Sequence, residues 1–169
     1  MRYVVIAFIL ILSFVLQSTL FEYIRIFNVA PNLLVMIVVS FALLRGAKEG
    51  VVIGFAGGLL YDTTYSVIVG SSAISYMILG YVCGKLHPYC FRENNILPFM
   101  CTLFGSLFIS AMNLIGFILR ADLEFVYFLP RVVIPELLYT ITLTLVVYHM
   151  SYTINEKIEM REKKTRNLF

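Results

Sequence analysis

The chain has 169 residues, of which 60% are hydrophobic and 14% charged. Soluble domains average roughly 45–50% apolar and about 25% charged residues, so this composition excludes an ordinary water-soluble core and fits one integral membrane domain with no dividing linker. The net charge of +3 is small, and its placement along the chain carries more information than its size.

The hydrocarbon core of a bilayer is ~30 Å thick, and a crossing helix needs about 20 mostly apolar residues. Arg2 and the apolar run after it have the outline of a secretory signal. No A-x-A pattern follows, only Gln17-Ser18-Thr19-Leu20, so residues 3–21 read as an uncleaved first span. The second span covers residues 30–44 and opens on Pro31, a residue suited to the first turn of a helix. The third runs over 50–61 and extends towards 69, ending near Asp62. Residues 70–86 form the fourth, 96–119 the fifth, and 132–152 the sixth, with Pro135 in its first turn. The expected fold is therefore an all-α membrane domain of six spans over residues 1–154, followed by a charged tail over 155–169.

The basic residues test this layout. With the N-terminus inside, ten of the thirteen Lys and Arg fall on the cytoplasmic side: Arg2, Arg45, Lys48, Lys85, Arg92, Lys157, Arg161, Lys163, Lys164 and Arg166. Arg25, Arg120 and Arg131 fall outside. Short loops rich in Lys and Arg stay in the cytoplasm, so the bias supports both termini inside, and it requires the third and fourth segments both to cross. The tail alternates acidic and basic residues, with pairs such as Glu159 and Lys163 at helical spacing; it reads as a solvated helical extension, with docking to a cytoplasmic partner or the anionic leaflet as the alternative.

Gly46, Gly50, Gly54 and Gly58 are spaced by four and form one stripe on a helix; Gly80 and Gly84 repeat the spacing. In lipid, small residues let helix backbones approach closely. The stripe reads as packing within the protein or as contact with a membrane partner. Ionisable residues at membrane depth are costly and face the protein interior, a wet cavity or a partner. Asp62 and Glu136 are such residues, with Arg120 and Arg131 as candidate counter-ions. Asn113 and Gln17 are polar within spans. Asp62, Asn113, Arg131 and Glu136 form a candidate outward cavity or partner contact.

Catalytic motifs are missing. His87 and His149 have no metal-ligand companion, and no GxSxG elbow, Walker A loop or nucleotide fingerprint is present. The residues around Asp62 and Glu136 match no carboxylate-pair motif of an intramembrane hydrolase. Cys83, Cys90 and Cys101 read as reduced thiols rather than a disulfide framework. No enzyme activity, cofactor, metal or nucleic-acid partner is expected.

Several stretches resemble the bacterial MreD family of rod shape-determining proteins: Leu16-Gln17-Ser18-Thr19-Leu20, Ala30-Pro31-Asn32-Leu33-Leu34, and Ser40 through Arg45-Gly46. The likeness continues through Glu49-Gly50, Gly54-Phe55, Gly58-Leu59-Leu60, Asp62, Gly70, Ala73, Tyr76 and Gly80-Tyr81, and is weaker later, at Pro135 and Leu138-Tyr139. The family-motif positions singled out are Gln17, Pro31, Asn32, Arg45, Gly70 and Tyr76. The resemblance implies a non-enzymatic component of the cell-elongation machinery in the cytoplasmic (inner) membrane, helping to maintain rod shape and organise peptidoglycan synthesis. It implies MreC as a partner, with MreB, RodA and a class B penicillin-binding protein in the wider assembly. It also implies a fold similar to the substrate-binding subunits of energy-coupling-factor transporters. The alternative reading is a vitamin-type substrate-binding subunit of a membrane transporter.

Overall fold

The structure, a computed structural model, describes residues 2–19, 23, 30–65, 70–89, 96–118 and 134–166. Among these residues there are six α-helices and no strand. The helices are α1 (Arg2–Ser18), α2 (Leu33–Arg45), α3 (Ala47–Tyr65), α4 (Ser71–Lys85), α5 (Ile96–Ile118) and α6 (Ile134–Arg166). A 3-10 turn at His87–Tyr89 follows α4.

Helix α2 is apolar on every face, and every residue from Leu33 to Leu43 is buried. A helix hydrophobic all round belongs in the centre of an assembly, and α2 packs against α1, α3, α4, α5 and α6. The outer helices are two-sided. Phe8, Ile11 and Val15 of α1, Val52 and Phe55 of α3, Ile78 and Val82 of α4, Met100 and Phe104 of α5, and Leu145 and Val146 of α6 are all exposed. The polar residues lie inside instead: Ser13 and Gln17 of α1, Thr102 and Ser106 of α5, and Thr140, Thr144, Ser151 and Asn155 of α6 are buried. An apolar periphery around a partly polar interior suits a hydrocarbon solvent and opposes the pattern of a water-soluble bundle.

Gly46 alone separates α2 from α3. Its φ of +86° lies in the left-handed region, open to glycine at little cost. Its N–H donates to Ala42 O at 2.9 Å and its carbonyl accepts from Gly50 N. The reversal brings α3 back along α2, with Gly50 against Ala42 and Gly57 against Val38.

The tightest seam joins α3 and α4. A Cβ on Gly50 would collide with the Gly80 carbonyl, on Gly54 with the Tyr76 carbonyl, on Gly58 with Ala73 Cα, and on Gly84 with Ala47. Each four-residue step along α3 meets a four-residue step back along α4. Gly50 thus faces Gly80 and Gly84 faces Gly46 and Ala47, while Gly54 and Gly58 face the backbone of Tyr76 and Ala73, across one antiparallel interface. Here the main chains touch, as small-xxx-small stripes permit.

By length and composition, two described helices are long and apolar enough to cross a membrane: Ile96–Asn113 within α5 and Pro135–Ile158 within α6. Tyr3–Ser18 and Leu33–Arg45 are apolar but shorter. Six crossings were expected, and the difference has a plain cause. Helices α1, α2 and α4 have 17, 13 and 15 residues, short of the length a crossing helix needs, and α3 carries Lys48, Glu49 and Asp62 among its 19 residues. Helix α6 also passes through the expected boundary between residues 154 and 155 and continues unbroken to Arg166, about 50 Å at ~1.5 Å per residue.

Candidate functional site

Two helix N-termini begin inside the bundle, and each must satisfy its first backbone N–H groups without water. For α2, Asn32 serves as N-cap: its Oδ1 accepts from Val35 N at 3.1 Å. Gln17, reaching across from α1, accepts from Leu34 N at 3.2 Å. The Asn32 N–H itself donates to the Thr140 hydroxyl of α6 at 3.2 Å. The caps of α2 therefore come from three helices or helix starts, which pins α1 and α6 to the central helix.

For α4 the N-cap is Gly70, with φ +104° and no side chain to offer. Asp62, at the far end of α3, supplies the missing acceptor. Its carboxylate accepts from Gly70 N at 2.8 Å, Ser72 N at 3.2 Å and Ala73 N at 3.1 Å. A negative charge at a helix N-terminus is also favoured by the helix dipole. Asp62 is 2% exposed, and these three N–H groups explain how a carboxylate is tolerated there.

Tyr76 joins the two caps. It is fully buried, its hydroxyl donates to Asn32 Oδ1 at 3.1 Å, and its ring lies 5.7 Å from that of Tyr61. Glu136 is half-buried in the first turn of α6, one turn before Thr140, which accepts from Asn32 N. Asn32 thus joins Val35, Tyr76 and Thr140 by hydrogen bonds, Gln17 caps the same helix, and Asp62 caps the helix that carries Tyr76.

A second cluster closes the opposite end of α2. The Arg45 side chain is 6% exposed; its Nη1 pairs with Glu49 at 3.2 Å, and its Nε donates to Asn155 Oδ1 of α6 at 2.7 Å. His87 Nδ1 lies 2.6 Å from the Leu43 carbonyl, a polar contact for one of the orphan acceptors of the last turn of α2. Thirteen residues of α2 separate the clusters, about 20 Å along the axis.

Of the residues singled out in the sequence, Gln17, Asn32, Asp62, Gly70, Tyr76 and Glu136 gather at one end. Pro31 is buried just before α2. Asn113 is half-buried towards the C-terminal end of α5, and Arg45 lies at the other end of the bundle. Arg120, Arg131 and Cys90 lie outside the described residues. Sequence reasoning missed Thr140, Tyr61, Asn155 and the His87 contact. Thr140 carried one signal: it sits four residues after Glu136 and so shares its helix face. Among the described residues no group of three or more His, Cys, Asp or Glu is placed to hold a metal.

The exposed apolar periphery, the all-buried central helix and the internally capped helix ends define an all-α protein built for a membrane. A family model described as rod shape-determining protein MreD matches residues 1–155. The chain belongs to the MreD family, and is by that membership a membrane protein with a role in rod shape determination, in a family of shape-determining components rather than known enzymes. No curated protein and no solved structure matches the chain.

Proposed function

We propose that the protein is a non-enzymatic scaffold of the elongation machinery. It crosses the bacterial cytoplasmic membrane six times with both termini inside, binds MreC, and through MreB, RodA and a class B penicillin-binding protein helps organise peptidoglycan synthesis. The observation that carries this reading is how the buried polar groups are used. Asp62, Asn32 and Gln17 all accept backbone N–H groups of the bundle itself. Such groups build a rigid framework that holds helices in fixed places for a partner. The basic bias of the loops supports the orientation, with the Arg45 end cytoplasmic and the Asp62 end outward. The kinship with substrate-binding subunits of energy-coupling-factor transporters belongs to the same proposal, and rests on the family resemblance and the helix count.

Affinity purification of the tagged chain from native membranes tests the reading. The expected result is co-purification of MreC with no stoichiometric small molecule, together with rounded cells on clean deletion of the gene. A tightly bound vitamin without MreC, or rods of normal width after deletion, contradicts it and favours the transporter-subunit alternative.

A further inference from the structure

Two cysteines meet at the seam between α4 and α5. Leu79 of α4 packs against Gly105 of α5, where a Cβ on the glycine would lie 2.8 Å from Leu79 Cδ1. One turn further along α4 stands Cys83, and one turn back along α5 stands Cys101. In this antiparallel register the two occupy facing positions. Both are buried free thiols within the same apolar core. Gly105 allows the close helix approach that short bridging side chains need, since a disulfide requires Cβ atoms roughly 3.5–4.5 Å apart.

The surroundings select the reagent. Cys83 and Cys101 are 3% and 7% exposed within the apolar core, which favours a lipid-soluble oxidant over a water-soluble one. The adjacent residues Val82 and Met100 are exposed on the apolar periphery, so the seam lies one residue from the lipid-facing surface. We propose that Cys83 and Cys101 form a redox pair that closes to an interhelical disulfide when oxidised by a membrane-soluble quinone. Two S–H bonds break and one S–S bond forms. Two electrons and two protons pass to the quinone, which leaves as hydroquinone. The bond joins α4, already seamed to α3 through glycines, to α5, which packs on α6. It therefore staples the two sides of the bundle and ties helix mobility to the redox state of the membrane.

The test uses the full chain in lipid nanodiscs with Cys90→Ser, which removes the third thiol. The sample is treated with a short-chain ubiquinone analogue, denatured, and labelled with a polyethylene-glycol maleimide. Untreated protein is expected to gain two labels and quinone-treated protein none, with dithiothreitol added after denaturation, before labelling, restoring both. Cys83→Ala and Cys101→Ala variants, each on the Cys90→Ser background, are expected to keep their one remaining label after the same treatment. The proposal is overturned if both thiols of the pair still label after quinone, if dithiothreitol fails to restore them, or if the single-thiol variants lose their label equally, which marks quinone addition to sulfur.

Discussion

The carboxylate of Asp62, on the last turns of α3, accepts the N–H of Gly70 at 2.8 Å and in doing so caps a helix that begins nine residues later, at Ser71. Removing the carboxylate leaves three N–H groups at the start of α4 without their acceptor, two of them in buried hydrogen bonds. Each buried orphan costs about 1–3 kcal/mol. Asp62→Ala is expected to destabilise the fold by at least about 2 kcal/mol, whereas Asp62→Asn keeps one oxygen acceptor and loses about 1 kcal/mol. Unfolding by sodium dodecyl sulfate in mixed micelles, followed by far-UV circular dichroism, measures both. Equal losses would contradict the capping role.

The glycine seam makes a sharper prediction than a general intolerance of bulk. A Cβ at Gly54 meets the backbone of Tyr76, which has nowhere to go, while a Cβ at Gly57 meets a methyl of Val38 at 3.2 Å and one of Leu10 at 3.6 Å. Gly54→Ala is expected to cost about 1–3 kcal/mol through forced separation of α3 and α4. Gly57→Ala, relieved by side-chain rotation, should stay within about 1 kcal/mol. Gly54→Leu is expected to lower both the yield of folded protein and MreC co-purification. Wild-type stability of Gly54→Ala would remove the seam from the explanation of the fold.

The sequence made the helices legible but not what their polar residues do. Apolar runs and the two prolines located all six helices, and the four-residue spacing of the glycines identified a packing stripe. It did not reveal that Gly50 and Gly54 face Gly80 and Tyr76, because that pairing depends on the register of two helices. Asp62 stood out as a charge at membrane depth and suggested an arginine partner or a cavity. Its described hydrogen-bond partners are backbone N–H groups, and no side-chain pattern advertises those. The partners of Thr140 and Asn155 could not be read from the sequence for a different reason: each meets its partner across more than a hundred residues of chain.

Tyr76 and Asn32 should behave as one unit. Tyr76→Phe removes one hydroxyl from a buried bond and is expected to cost about 0.5–1.5 kcal/mol. Asn32→Ala removes the acceptor of both Tyr76 and Val35 and is expected to cost more, about 2 kcal/mol. The same detergent titration measures both. If Tyr76→Phe proves the costlier of the two, the network is not centred on Asn32.

At the other end, Arg45 and Asn155 fasten the long helix α6 to the core. A double-mutant cycle of Arg45→Lys and Asn155→Ala isolates their interaction. The expected coupling is on the order of 0.5–3 kcal/mol, the range for residues in contact. Strictly additive losses would show that α6 is held by its apolar contacts alone.

The most direct test is the sidedness of the turn after Asp62. Thr64 is exposed at the end of α3, and Leu168 lies at the C-terminus. Thr64→Cys and Leu168→Cys, each on a cysteine-free background, are treated with a membrane-impermeant maleimide in cells whose cytoplasmic membrane is intact. A protein that presents its Asp62 end outward and its Arg45 end to the cytosol labels at position 64 at once and at position 168 only after the membrane is opened. Immediate labelling at 168, or protection at 64 until the membrane is opened, would contradict a six-crossing bundle with both termini inside.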